Sequence, residues 1–90
     1  MMKECFIEGI LVCKKGEAEV GSRVSVIRRI DISCFKDEVV VTGDNGFRGY
    51  PAEDSYIVFM ELLADGYSIE GEILDIKKEG IYNASFCAFK

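Results

Sequence analysis

The chain has 90 residues, with 11 Lys and Arg against 16 Asp and Glu, no His, one Pro, nine Gly and 49% hydrophobic residues; this describes one folded domain over residues 1–90. The composition excludes a disordered chain, because this much apolar surface offsets the entropy of ordering, and a membrane-spanning helix, because no apolar run nears ~20 residues. The net charge of −5 argues against a chain built mainly to hold polyanions.

Ile and Val total 18 against 9 for Leu and Ala, and this β-branched excess predicts mostly strand. Residues 4–13 read as a strand with apolar side chains on both faces, interrupted by Gly9. Lys14-Lys15-Gly16-Glu17 then supplies a polar turn, so the first two strands are expected to pair as a hairpin. Residues 22–32 alternate most clearly, with Val24, Val26, Ile30 and Ile32 on one face and Arg23, Ser25, Arg29 and Asp31 on the other. Ile27 breaks the polar face and Arg28 the apolar one, which fits a bulge, an exposed edge or a second contact surface. Residues 33–37 form a connection and 38–42 a strand, and Asn45-Gly46 suits a type I′ turn into a partner strand over 47–50.

Residues 51–65 pattern as a helix. At 100° per residue Glu53, Asp54, Glu61 and Asp65 fall in one arc, while Tyr56, Val58, Phe59, Met60, Leu62 and Leu63 fill most of the rest; Ser55 and Ile57 sit on the wrong side. Pro51 near the start, acids in the first turn and Gly66 past the end are the expected punctuation. Residues 68–76 and 81–89 flank Lys77-Lys78-Glu79-Gly80, a second hairpin, with a bend or bulge expected near Gly71. The predicted fold is therefore α+β and strand-dominated, a small β-barrel or strongly curved antiparallel sheet with one helix at about residues 52–65. Its element order is also that of the OB-fold, apart from the extra hairpin at Gly46. Were residues 55–63 extended, the alternative is an all-β SH3-like barrel.

Gly46-Phe47-Arg48-Gly49-Tyr50-Pro51, with Tyr56-Ile57 after it, resembles the closing segment of SH3 domains over less than a sixth of the chain. The residue normally between Tyr and Pro is absent, Pro51 and Tyr56 are too far apart, and there is no Trp, so no binding residue carries over. Internally, Ile7-Glu8-Gly9-Ile10-Leu11 is similar to Ile69-Glu70-Gly71-Glu72-Ile73-Leu74 with one insertion, which shared strand composition explains better than a repeat.

Cys5, Cys13, Cys34 and Cys87 form no C-x-x-C pair and have no His to complete a zinc set. Met1-Met2-Lys3-Glu4 leads into Cys5-Phe6-Ile7 without an apolar signal core, so the expectation is a cytoplasmic protein with four reduced thiols, no metal and no cofactor. Cys13 and Cys87 lie among apolar neighbours and read as small core hydrophobes. With no His, no Gly-flanked nucleophile and no convergent carboxylate pair, the chain reads as non-enzymatic. Asp37-Glu38 and Glu53-Asp54 are solvated element starts, and residues 43–49 lack the ending of a phosphate loop.

Residues 1–50 carry eight acids and eight bases, residues 51–90 eight acids and three bases, and all four arginines lie between 23 and 48. The candidate binding residues are accordingly Arg23, Arg28, Arg29 and Arg48, with Phe47 and Tyr50 as aromatic anchors. The leading function is a small protein-binding module or homo-oligomer. The alternatives are an OB-like single-strand nucleic-acid binder, with arginines on phosphates and Phe47 or Tyr50 stacking a base, and a small acidic inhibitor or decoy occupying a basic cleft.

Overall fold

A computed structural model describes residues 4–31 and 36–90, with side chains at all of these positions except 4–6, 31, 36 and 53. The chain forms β1 (Glu4–Lys15), β2 (Arg23–Asp31), β3 (Lys36–Gly43), β4 (Arg48–Pro51), α1 (Glu53–Ala64), β5 (Ser68–Lys78) and β6 (Ile81–Phe89). The strands close into an antiparallel barrel in the order β1-β4-β3-β2-β5-β6, as the strand-dominated reading predicts. Closure removes most of the free sheet edge that a curved open sheet would present. Six strands replace the five of an OB-fold, and α1 excludes the all-β alternative.

Inward-facing positions follow the strand period. Val24 and Val26 on β2, Val39 and Val41 on β3, Ile69 and Ile73 on β5, and Tyr82, Ala84, Phe86 and Ala88 on β6 are all buried. Phe47 meets Tyr82 edge-on at 5.4 Å, and Phe59 of α1 meets Phe86 edge-on at 4.8 Å. The helix presents Tyr56, Phe59, Met60 and Leu63 to the core, the i, i+3, i+4, i+7 spacing of one helical stripe. Asp54, Glu61 and Asp65 stay exposed. Gly66, with φ +89°, ends the helix: its N–H donates to Leu63 O at 3.1 Å and that of Tyr67 to Leu62 O at 3.0 Å, the paired bonds of a Schellman cap.

The hairpins at both expected sites form. Between β3 and β4, Asn45 (φ 57°) and Gly46 (φ 77°) are both left-handed and Phe47 N–H donates to Asp44 O at 3.2 Å, as a type I′ turn requires.

Two local expectations are corrected. The first two strands do not pair, because both edges of β1 are taken, by β6 over Glu4–Val12 and by β4 over Leu11–Lys15. Residues 16–22 therefore cross the mouth of the barrel, and Gly21 and Ser22 extend the β2–β5 ladder through bonds to Ile73 of 2.8 and 2.9 Å. β5 is irregular at Leu74 and at Lys77, where its register with β6 shifts between Ile73 and Asp75 and between Ile76 and Lys78, not at Gly71. Gly71 serves a different purpose: a Cβ there would lie 2.5 Å from the Phe86 ring and 2.7 Å from Ser85 O, so its absence admits the Phe86 ring.

The similar Gly9 and Gly71 segments lie on either side of one strand. β1 and β5 flank β6 from its two sides, with Ile7 and Gly71 both opposite Phe86. Only Gly71 is required by that ring, since a Cβ at Gly9 would lie 3.9 Å from it, an ordinary contact.

Candidate outer-face binding site

Alternation sends a second set of side chains outward, and the registers fix their neighbours. On the outer face of β2 lie Arg23, Ser25, Ile27 and Arg29; opposite the last three, on β3, are Thr42, Val40 and Glu38. Arg48 is opposite Thr42, and Val41 is opposite Gly49, which places Tyr50 beside Val40. On β1, Val12 is opposite Tyr50 and Lys15 opposite Arg48. A barrel exterior should be polar at these positions. Instead Val12, Tyr50, Val40 and Ile27 form an apolar row across four adjacent strands. Val12 and Ile27 are 48% and 43% exposed, while Val40, although outward in phase, is 1% exposed.

Cations flank one end of the row. The β1–β4 register shifts between Cys13 and Lys15, which makes Lys14 the extra residue of a bulge and sets its Nζ 5.8 Å from the centroid of the Tyr50 ring. Lys15 and Arg48 face each other directly. Among the described residues none of these three cations is in an ion pair.

The six candidate residues separate. Arg48 and Tyr50 belong to this site, and Arg29 lies on the same outer face beyond Ile27. Arg23 is opposite Glu72, at a groove lined by Ser25, Glu70, Gly71, Ser85 and Cys87 toward the acidic side of the barrel. Arg28 needs no bulge to explain it: the register of β2 with β3 is continuous. Its Nε donates to Asp37 Oδ1 and Oδ2 at 2.9 and 2.8 Å, and Nη2 also bonds Oδ2. The Arg28 guanidinium holds the Asp37 carboxyl below the usual carboxylate range, and the same hydrogen bond and charge raise Arg28. Its guanidinium is thus engaged within the β2–β3 ribbon.

Phe47 is a correction: at 2% exposure its ring fills the core against Tyr82 and cannot stack on a ligand. Cys87 is a partial one, since Phe86 and Ala88 point inward and Cys87 lies half-buried on the alternate phase, whereas Cys13 does pack on the core. Cys13 Sγ donates to Gly16 O at 3.1 Å. The side chains of Cys5 and Cys34 lie outside the described residues.

Lys14, Lys15, Val12 and Val40 escaped sequence reading because Lys14-Lys15 looks like a turn and consecutive valines look like core. Ile27 did give a signal, as the one apolar residue on the polar face of β2. Asp37 and Glu38 are successive residues of one strand, so they do not converge as an acid–base couple. No group of three or more Cys, Asp or Glu among the described residues is placed to hold a metal ion, and no described helix is long and apolar enough to cross a membrane. The chain matches no protein-family model, no curated protein and no solved structure.

Proposed function

We propose that the protein is a small non-enzymatic binding module of the cytoplasm whose contact surface is the outer face of β1, β4, β3 and β2. The carrying observation is that Val12 and Ile27 stand 48% and 43% exposed on either side of a half-buried Tyr50, with Val40 buried beneath them, since exposed apolar side chains grouped on one face of a small domain are the usual mark of an interaction site. Tyr50 and Arg48 are of the residue types that anchor protein interfaces. Protein contact is favoured over single-strand nucleic acid because Phe47 is in the core. Tyr50 is then the only aromatic ring on the row, and aliphatic side chains give successive bases nothing to stack on.

A photo-crosslinking side chain at Val12 or Tyr50 is expected to trap one partner in cells, and one at Glu70, on the outer face of β5, is expected to trap none. The purified partner should then bind the wild-type protein, and Ile27→Asp should weaken it about tenfold, the effect of losing one well-packed apolar anchor. Equal trapping from Glu70, or unchanged affinity of the Ile27→Asp protein, overturns the assignment of this face.

A further inference from the structure

Resting on that reading, we infer that the partner of this face is a protein segment carrying carboxylates followed by apolar side chains. The cation cluster is the first ground. Lys15 and Arg48 are directly opposed across β1 and β4, and like charges in that relation destabilise a sheet. With Lys14 beside them and no carboxylate paired to any of the three among the described residues, the fold leaves a cationic end to the row uncompensated. The bulge that supplies Lys14 is a device that re-aims a side chain and commonly lies next to functional sites.

The second ground is the order of features along the row. The cations lie at its β1–β4 end, and Tyr50 and the exposed Ile27, on either side of the buried Val40, lead away from them across the barrel wall. Four strands at a spacing of about 4.8 Å span roughly 14 Å, the reach of four to five extended residues. A segment that sets its carboxylates on Lys14, Lys15 and Arg48 therefore brings its next few residues over the apolar row. Arg48 provides the planar fork that takes a carboxylate in two bonds.

The third ground is the charge elsewhere. Asp54 and Glu61 of α1, Asp65 just after it, and Glu70 and Glu72 of β5 are exposed, so a long polyanion such as a nucleic-acid strand is repelled once it extends past this one edge. A short acidic segment is not.

The test is amide-resolved NMR with synthetic peptides as probes. Glu-Glu-Glu-Leu-Ser-Leu-Ser-Leu is expected to shift the amides of Lys14, Lys15, Arg48, Tyr50 and Val40. The same peptide with Gln for Glu should bind at least about tenfold more weakly, as should the acidic peptide to Lys15→Glu, because the charge pairs are lost. Lys15→Glu also places a carboxylate opposite Arg48, so its melting temperature should rise while its affinity falls. A structural defect would lower both.

If the Gln peptide binds as tightly at the same amides, the acidic partner is wrong and the binding face stands. If no peptide shifts these amides, both fail. Tighter binding of an oligothymidylate than of the acidic peptide overturns the inference in favour of nucleic acid, and a fall in both melting temperature and affinity for Lys15→Glu overturns the role given to that pair.

Discussion

Gly9 and Gly71 sit in similar local sequences on either side of β6, but their surroundings differ in what can yield. At Gly71 a methyl group would strike the Phe86 ring and the Ser85 carbonyl, both fixed in the barrel wall; at Gly9 it would meet the Ser55 hydroxyl at 2.6 Å, a small group that can rotate away. Gly71→Ala is therefore expected to cost about 1–3 kcal/mol as an overpacked core does. Gly9→Ala should cost well under 1 kcal/mol, as ordinary tolerated changes do. Urea titration of the two variants measures the difference, and equal losses would show that Phe86 is not what Gly71 accommodates.

The β2–β3 ribbon is the element that departs most from a closed barrel. β2 pairs with β5 only as far as Val26, and β3 with β4 only at Val41 and Thr42, so the ribbon beyond them is joined to the rest of the molecule by side chains. On the helix side, Val39 N–H donates to Tyr56 Oη at 3.0 Å. Within the ribbon Arg28 grips Asp37, and Ile30 is left 63% exposed. Because the pair lowers the Asp37 pKa, the unfolded chain binds this proton more tightly than the folded one. The stabilisation is thus fully present above the ordinary Asp value of about 3.9 and is lost as pH falls through the lower folded-state value. Asp37→Asn should flatten that acid limb in a pH series of thermal melts while leaving the curve above neutrality parallel to wild type. An unchanged acid limb would mean that the ion pair contributes nothing in solution.

For the whole molecule, charge is distributed around the barrel and not merely in excess. Lys14, Lys15 and Arg48 gather where β1 meets β4, while α1 and β5 carry exposed acids at Asp54, Glu61, Glu70, Glu72 and Asp75. The thiols belong to this scale as well, since their state reports the compartment. All four are expected to be reduced, so alkylation of the denatured protein without reductant should add four equivalents by intact mass. Under native conditions Cys13, packed against the core, should react more slowly than in the denatured protein, because burial limits access. Two missing equivalents would indicate a disulfide and overturn the cytoplasmic reading.

Strand content, the helix at about residues 52–65 and both tight hairpins were legible in the sequence because each is decided locally: by β-branched propensity, by the 3.6-residue stripe through Tyr56, Phe59 and Leu63, and by Asn45-Gly46 and Gly80. The faces of β2 were legible at Val24 and Val26, because the period of two needs no partner, but not at Ile30, which is 63% exposed beyond the end of the β2–β5 pairing. The pairing of β1 with β6 and β4 was decided only by the tertiary structure. Barrel closure satisfies both edges of β1 at a sequence separation that no turn residue records, and that pairing displaced the hairpin with β2. The same closure buried Phe47, since which way the residue between the turn and a four-residue strand faces depends on the strands that close around it. It also matched Arg28 to Asp37 across the ribbon and set Lys15 opposite Arg48. Each of these is a distance between strands, and a distance between strands exists only once the sheet has closed.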